Sequence, residues 1–236
     1  MTDAGPFGTE FAELVTANRI LAARGVVDGW GHVSVRAPGR PDRFLLARPL
    51  APALVTRGDV LELDVATGES ITGENTYLER HIHSGIYRAR PDVAAVVHSH
   101  APDLIPFTVT DTQLLPLLHA SAFLGEGAPG FEVGGVPTGK LIDTPEAGDE
   151  LATSLGTAPL VLMRWHGVSV VGESLRQAVY RAVYATENAR IQLQSLALGP
   201  VTYQPPDEAR TVAATVDGVI DRVWDLWLHE LSDTSV

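Results

Sequence analysis

The feature that most constrains this chain is the apolar run Val93–Val97, which ends in His98, Ser99 and His100. A short, valine-rich segment of this kind reads as a buried strand. Side chains two apart on a strand project from the same face, roughly 7 Å apart by the strand rise. His98 and His100 can therefore converge on one divalent cation while Ser99 faces away. Strand histidines on their own more often serve as hydrogen-bonded core groups. Here they have company: Glu79 opens an amphipathic stretch upstream, and the apolar segment Leu160–Met163 ends downstream in Arg164, Trp165, His166 and Gly167. Three imidazoles and a carboxylate, with positions left for water or substrate, fit a catalytic site for Zn²⁺, Mn²⁺, Fe²⁺ or Co²⁺ better than a closed structural one.

Histidine and carboxylate must carry any such metal, because none of the 236 residues is cysteine; disulfides, thiolate sites and cysteine nucleophiles are all removed. A net charge of -12 with only 17 dispersed Lys and Arg argues against nucleic acid as a partner. Arg36, Arg40, Arg43 and Arg48 nonetheless fall close together, either as a local cationic pocket or as a solvated basic surface. No apolar stretch is long enough to span a membrane, and Met1–Gly5 shows no basic region leading into an apolar segment. The expectation is a cytoplasmic protein with no membrane partner. With 45% hydrophobic and 19% charged residues, the chain can bury a full core, and residues 1–236 are expected to form a single domain.

Periodicity predicts a first helix carrying Phe11, Leu14, Val15, Asn18 and Leu21 and stopped at Gly25. Strands are expected at His32–Arg36, Arg43–Leu46 and Val60–Val65, the last closed by a turn at Ala66–Glu69, in a block that looks antiparallel. Leu78, Ile82 and Ile86 repeat every fourth residue through Tyr77–Ala89, a helix face for the core that Pro91 ends. Further strands are expected at Gln113–Leu118, Gly130–Val133 and Leu160–Met163, with a helix over Thr144–Leu155. A long helix over Ser174–Leu198, N-capped by Ser174, stops at Gly199 and Pro200. One last helix, residues 207–232, carries Val212, Val216, Ile220, Val223 and Trp227 along one side; with Trp224 it is expected in the core or in subunit contacts.

Taken in order, GHVSVR at Gly31–Arg36, Glu79 and His83 followed by IYRARPDV, AVVHSHAP at Ala95–Pro102 and HG at His166–Gly167 resemble the class II aldolase/adducin family over nearly the whole chain. The resemblance implies an α/β fold, a three-layer α/β/α sandwich with a mostly antiparallel central sheet. It also implies a homo-oligomer, commonly a tetramer. It gives Glu79 the role of catalytic acid/base, with a place among the metal ligands left open for it, and gives His98, His100 and His166 the role of ligands to one divalent metal, with no organic cofactor. His83 matches a family position that is usually structural. His81 has no matching role and reads as surface or packing.

Departures bear on the substrate. Where sugar-phosphate aldolases of the family carry GN, a TPSG-like loop and SSE, this chain has Gly31-His32, Ala47-Arg48-Pro49-Leu50 and Tyr77-Leu78-Glu79. The phosphate cradle is missing, and an arginine fork suits a planar carboxylate. The runs GHVSVR, LARPLAPALVT, YLERHIHSGIYRARPDV, HASAFLG and LRQAVYRAVY are similar to the branch of hydroxy-aromatic decarboxylases of the pyridine-dicarboxylate and dihydroxyphthalate type. The expected function is thus metal-dependent, non-oxidative decarboxylation of a hydroxylated aromatic or heteroaromatic acid. Its rivals are a non-haem iron oxygenase, an aldolase for an unphosphorylated carbonyl substrate, and a non-enzymatic scaffold. Burial beside Leu78 and Ile82 is expected to raise the pKa of Glu79 for acid work. Arg48 is the expected carboxylate anchor of a small-molecule substrate, with His32 and His119 as further substrate-facing groups.

Overall fold

The run through His98 becomes the middle strand of a sheet. A computed structural model describes residues 8–135 and 140–233, so Met1–Gly5, read above for an export segment, lie outside the described residues. Among the described residues β1 (His32–Arg36), β2 (Arg43–Ala47), β3 (Val60–Asp64), β4 (Ala95–Ser99), β5 (Gly130–Phe131), β6 (Leu160–Met163) and β7 (Gly167–Gly172) form one sheet of order β3-β2-β1-β4-β7-β6-β5. The helices are α1 (Gly8–Ala23), α2 (Arg80–Ala89), α3 (Ile105–Val109), α4 (Pro145–Leu155), α5 (Leu175–Leu198), α6 (Pro206–Asp217) and α7 (Ile220–Asp233).

Alternation along β4 sorts the layers. Ala95 and Val97 join one core with Leu14 and Leu21 of α1 and Ala178 and Ala182 of α5, whereas Val96 joins another with Ile82 and Ile86 of α2 and Leu151 and Leu155 of α4. Helices therefore cover both faces of the sheet. His98 has the parity of Val96 and so faces α2. That layer is held close by glycines: a Cβ on Gly148 of α4 would lie 2.2 Å from the His81 carbonyl oxygen of α2, and only hydrogen at that position permits the approach.

Several expectations are corrected. The sheet is mixed: β5 and β6 run parallel because α4 carries the chain across between them, while the other neighbouring pairs are antiparallel. Gln113–Leu118 forms no strand, because side chains of α5 take over its backbone groups. Asn188 Oδ1 accepts from Leu117 N–H at 2.8 Å and Asn188 Nδ2 donates to the Leu115 carbonyl at 2.8 Å; Gln192 Nε2 donates to the Gln113 carbonyl at 2.7 Å. The strand expected over Gly130–Val133 ends at Phe131. β7 was not anticipated, being joined to β6 by a tight hairpin in which Trp165 takes φ 56°. The expected helix over Tyr77–Ala89 begins only at Arg80, which leaves Leu78 65% exposed instead of on the core face. The last helix is two, α6 and α7, parted at Gly218 and Val219, and Trp224 and Trp227 are buried in the core with α1 and α5. Of the two places left open for His81, surface or packing, it takes packing and is buried.

Candidate metal centre

Four side chains from three parts of the chain meet on the α2 side of the sheet. Glu79 occupies the N-cap position of α2 without capping it, His98 lies in β4, His100 follows β4, and His166 sits in the β6–β7 hairpin. One ligand atom from each lies within 4.8 Å of all the others. His98 Nε2 is 3.0 Å from His100 Nε2 and 3.7 Å from Glu79 Oε2, and His166 Nε2 is 3.3 Å from Glu79 Oε2. Around a tetrahedral ion with bonds of about 2.1 Å, neighbouring donors lie roughly 3.4 Å apart, so the set is spaced for one cation. His166 Nε2 is a buried atom with no hydrogen-bond partner of suitable geometry, as a nitrogen reserved for a metal would be.

The surroundings keep the donors in ligand form. Burial pulls the His98 imidazole well below its ordinary range, with the neighbouring His32 adding to the effect, and burial likewise lowers His100. Both are neutral near pH 7. Burial pushes Glu79 up, but the adjoining His166 and His98 imidazoles and the Ile142 N–H, 3.0 Å from Oε1, outweigh it and bring the carboxyl down to about 2. The expectation of a raised pKa is thus reversed: Leu78 points to solvent, and polar donors face the carboxylate instead. Gly167 is obligatory beside this site, since a Cβ there would lie 2.2 Å from the Ser99 carbonyl oxygen.

The cluster opens into a cavity of about 530 Å³ whose wall includes Trp30, His32, Leu50, Tyr77, Glu79 and His100. His32 pairs with His98 in the β1–β4 register, and their rings lie 5.0 Å apart. Its Nδ1 is 2.6 Å from Nε2 of His83, so His83 acts in the layer behind the cavity wall. Arg48 is not part of the wall; its Nε donates to Asp59 Oδ1 at 2.6 Å, so a carboxylate of the protein itself takes one of its donors. His119 is exposed at the start of a 3₁₀ turn and belongs to neither cluster nor cavity wall. Arg40, Arg43 and Arg48 all face carboxylates, and Arg36 donates to carbonyls, so the arginine group forms no open anion pocket. Tyr77, Trp30 and the Ile142 N–H escaped the sequence reading. Of these only Tyr77 carried a signal, its place two residues before Glu79.

Residues 12–193 match the family described as Class II Aldolase and Adducin N-terminal domain. Over 249 aligned positions the chain is 34% identical to Decarboxylase tropJ of Talaromyces stipitatus, covering 92% of each chain. It is 32% identical over 238 positions to a 3,4-dihydroxyphthalate decarboxylase of Rhodococcus jostii, covering 94% of this chain and 96% of that one. An aldolase II superfamily protein from Pseudomonas syringae shares the fold, with a TM-score of 0.79 at 24% identity, over 98% of this chain and 95% of the other.

Proposed function

The chain belongs to the class II aldolase and adducin family, and from that premise we propose that it is a metal-dependent decarboxylase of a hydroxylated aromatic or heteroaromatic carboxylic acid. The observation that carries this reading is the convergence of Glu79, His98, His100 and His166, two of which, Glu79 and His100, line a cavity with aromatic walls. In the proposal these four residues hold one divalent ion of zinc, manganese, iron or cobalt. When bound, such an ion supplies Lewis acidity, favouring negative charge on an oxygen next to the carbon that loses carbon dioxide.

The residues themselves divide the remaining work. Tyr77, Trp30 and Leu50 offer flat apolar surface to a ring, and a volume of about 530 Å³ suits a small molecule. Decarboxylation breaks the bond between ring and carboxyl carbon, leaves the electron pair on the ring, and requires a proton there in place of carbon dioxide. Glu79 is ionised at neutral pH, so a proton it delivers must first be received from the substrate hydroxyl or from water. Its Oε1 is tied to Ile142 N–H, which leaves Oε2 for that exchange or for the metal. Arg48 remains in the proposal as a substrate anchor beside the cavity, with its Nε held by Asp59. Arg48→Ala is then expected to raise KM with kcat little changed; an unchanged KM removes it from the substrate site.

The test is carbon dioxide release from a panel of ortho-hydroxy aromatic and heteroaromatic carboxylates, with manganese or iron added, in air and under argon. Equal release under argon supports the decarboxylase, release only in air replaces it by an oxygenase, and a carbonyl product without carbon dioxide replaces it by an aldolase. We further propose a homotetramer. The 72% exposed Trp30 and 65% exposed Leu78 at the cavity rim support association, and light scattering at the mass of a single chain would reject it.

A further inference from the structure

Behind the cavity wall runs an unbroken line of buried polar groups. Tyr87 Oη lies 2.8 Å from Ser34 Oγ, Ser34 Oγ lies 2.6 Å from His83 Nδ1, and His83 Nε2 lies 2.6 Å from His32 Nδ1. His32 ends the line at the cavity, where its Nε2 has no partner among the described residues. Each group can donate or accept, so the hydrogens can be ordered in two ways. In one order every hydrogen points toward the cavity and His32 carries its own on Nε2. In the other every hydrogen points away, and His32 turns a bare Nε2 to the cavity.

The far end decides between them. The away order needs Tyr87 to donate to the Ala94 carbonyl, 3.5 Å distant, and that oxygen already accepts from Arg36 N–H at 2.7 Å. A hydroxyl donor prefers about 2.7–2.8 Å, the separation Tyr87 has to Ser34. The Arg36 guanidinium also lies over the Tyr87 ring, 4.6 Å from its centroid, and a positive charge there makes the phenol a better donor than acceptor. Burial pushes Tyr87 up, so it keeps its proton, and pulls His83 down to about 3, so His83 is neutral with one N–H and one lone pair to pass along.

We propose that Tyr87, Ser34 and His83 form a directional relay that holds His32 in its Nε2–H tautomer, so that His32 donates a hydrogen bond to a substrate oxygen in the cavity. The same hydrogen keeps His32, 5.0 Å from His98 between ring centroids, from becoming a further metal ligand. Tyr87, Ser34 and His83 are positioning residues in this scheme. It rests on the proposed function only for the substrate oxygen; the tautomer can be observed without turnover.

Long-range proton–nitrogen correlation spectra of ¹⁵N-histidine-labelled, zinc-loaded protein distinguish the tautomers, and loss of signals in His32→Gln identifies those of His32. The expected result is Nε2–H at both His32 and His83, with Ser34→Ala adding an Nδ1–H population at His32. In turnover, His32→Gln, whose amide places an N–H near the Nε2 position, should hold KM within about threefold, whereas His32→Asn should raise it about tenfold or more. An Nδ1–H or mixed tautomer at His32 in the unmodified protein overturns the relay, as does equal KM in the Gln and Asn variants. An Nε2–H tautomer in a protein that releases no carbon dioxide sinks the decarboxylase reading and leaves the relay standing.

Discussion

His98 shows how far a single residue reaches. It is fully buried, paired in register with His32 on one side and Ser169 on the other, and its Nε2 meets both His100 and Glu79. Replacing it with alanine removes a donor from the middle of the set. His98→Ala is expected to lose bound metal and to lower activity on the order of a hundredfold or more, checked by metal analysis alongside carbon dioxide release. Glu79→Gln keeps the shape and the Ile142 contact but not the charge; turnover should fall at least about tenfold with an unchanged circular-dichroism spectrum. Normal turnover in either variant would remove that residue from the proposed site. These four residues were legible because His98 and His100 lie two apart at a strand end and His166 follows another apolar run. The state of Glu79 was not legible, since the donors that lower it come from distant positions, Ile142 and His166.

At the scale of elements, periodicity located those that bury a face and missed those that bond in other ways. α4 and α5 begin where their caps predict, with Thr144 accepting from Ala147 N–H and Ser174 from Gln177 N–H. The segment Gln113–Leu118 has the apolar content of a strand, yet α5 satisfies its backbone through Asn188 and Gln192, one helical turn apart. Asn188 also accepts from Ser121 Oγ at 2.6 Å. Asn188→Ala therefore strands several buried polar groups together and is expected to cost about 2–4 kcal/mol, seen as a lower urea midpoint with an unchanged slope. A loss under about 0.5 kcal/mol would mean that water replaces the amide. Helix α2 was misjudged at its start for a related reason. Glu79 is drawn to Ile142 and the histidines, and the helix takes up its pattern one residue later.

For the molecule as a whole, acid is the natural stress. His83 titrates at about 3 in the folded state because it is buried, against about 6.5 when unfolded, and His98, His100 and His32 are lowered by burial in the same direction. Below pH 6.5 the unfolded chain binds more protons than the native one, so stability falls as pH falls. Glu79, depressed to about 2, adds to the loss from about pH 4.5 downward as the unfolded carboxyl protonates first. The metal-free protein should thus show a urea midpoint that declines steadily from pH 7 to pH 4, and a flat profile would contradict the buried neutral histidines. The sequence by itself determined the helices with capped starts, most of the strands, and the His98–His100 pair of the candidate metal cluster, because local spacing places them. Only the tertiary structure decided that β5 and β6 are parallel, that Arg48 faces Asp59, and that His83 stands behind His32. Those outcomes depend on which groups meet across the sheet once water is excluded, and buried polar groups take whatever partner packing brings within reach.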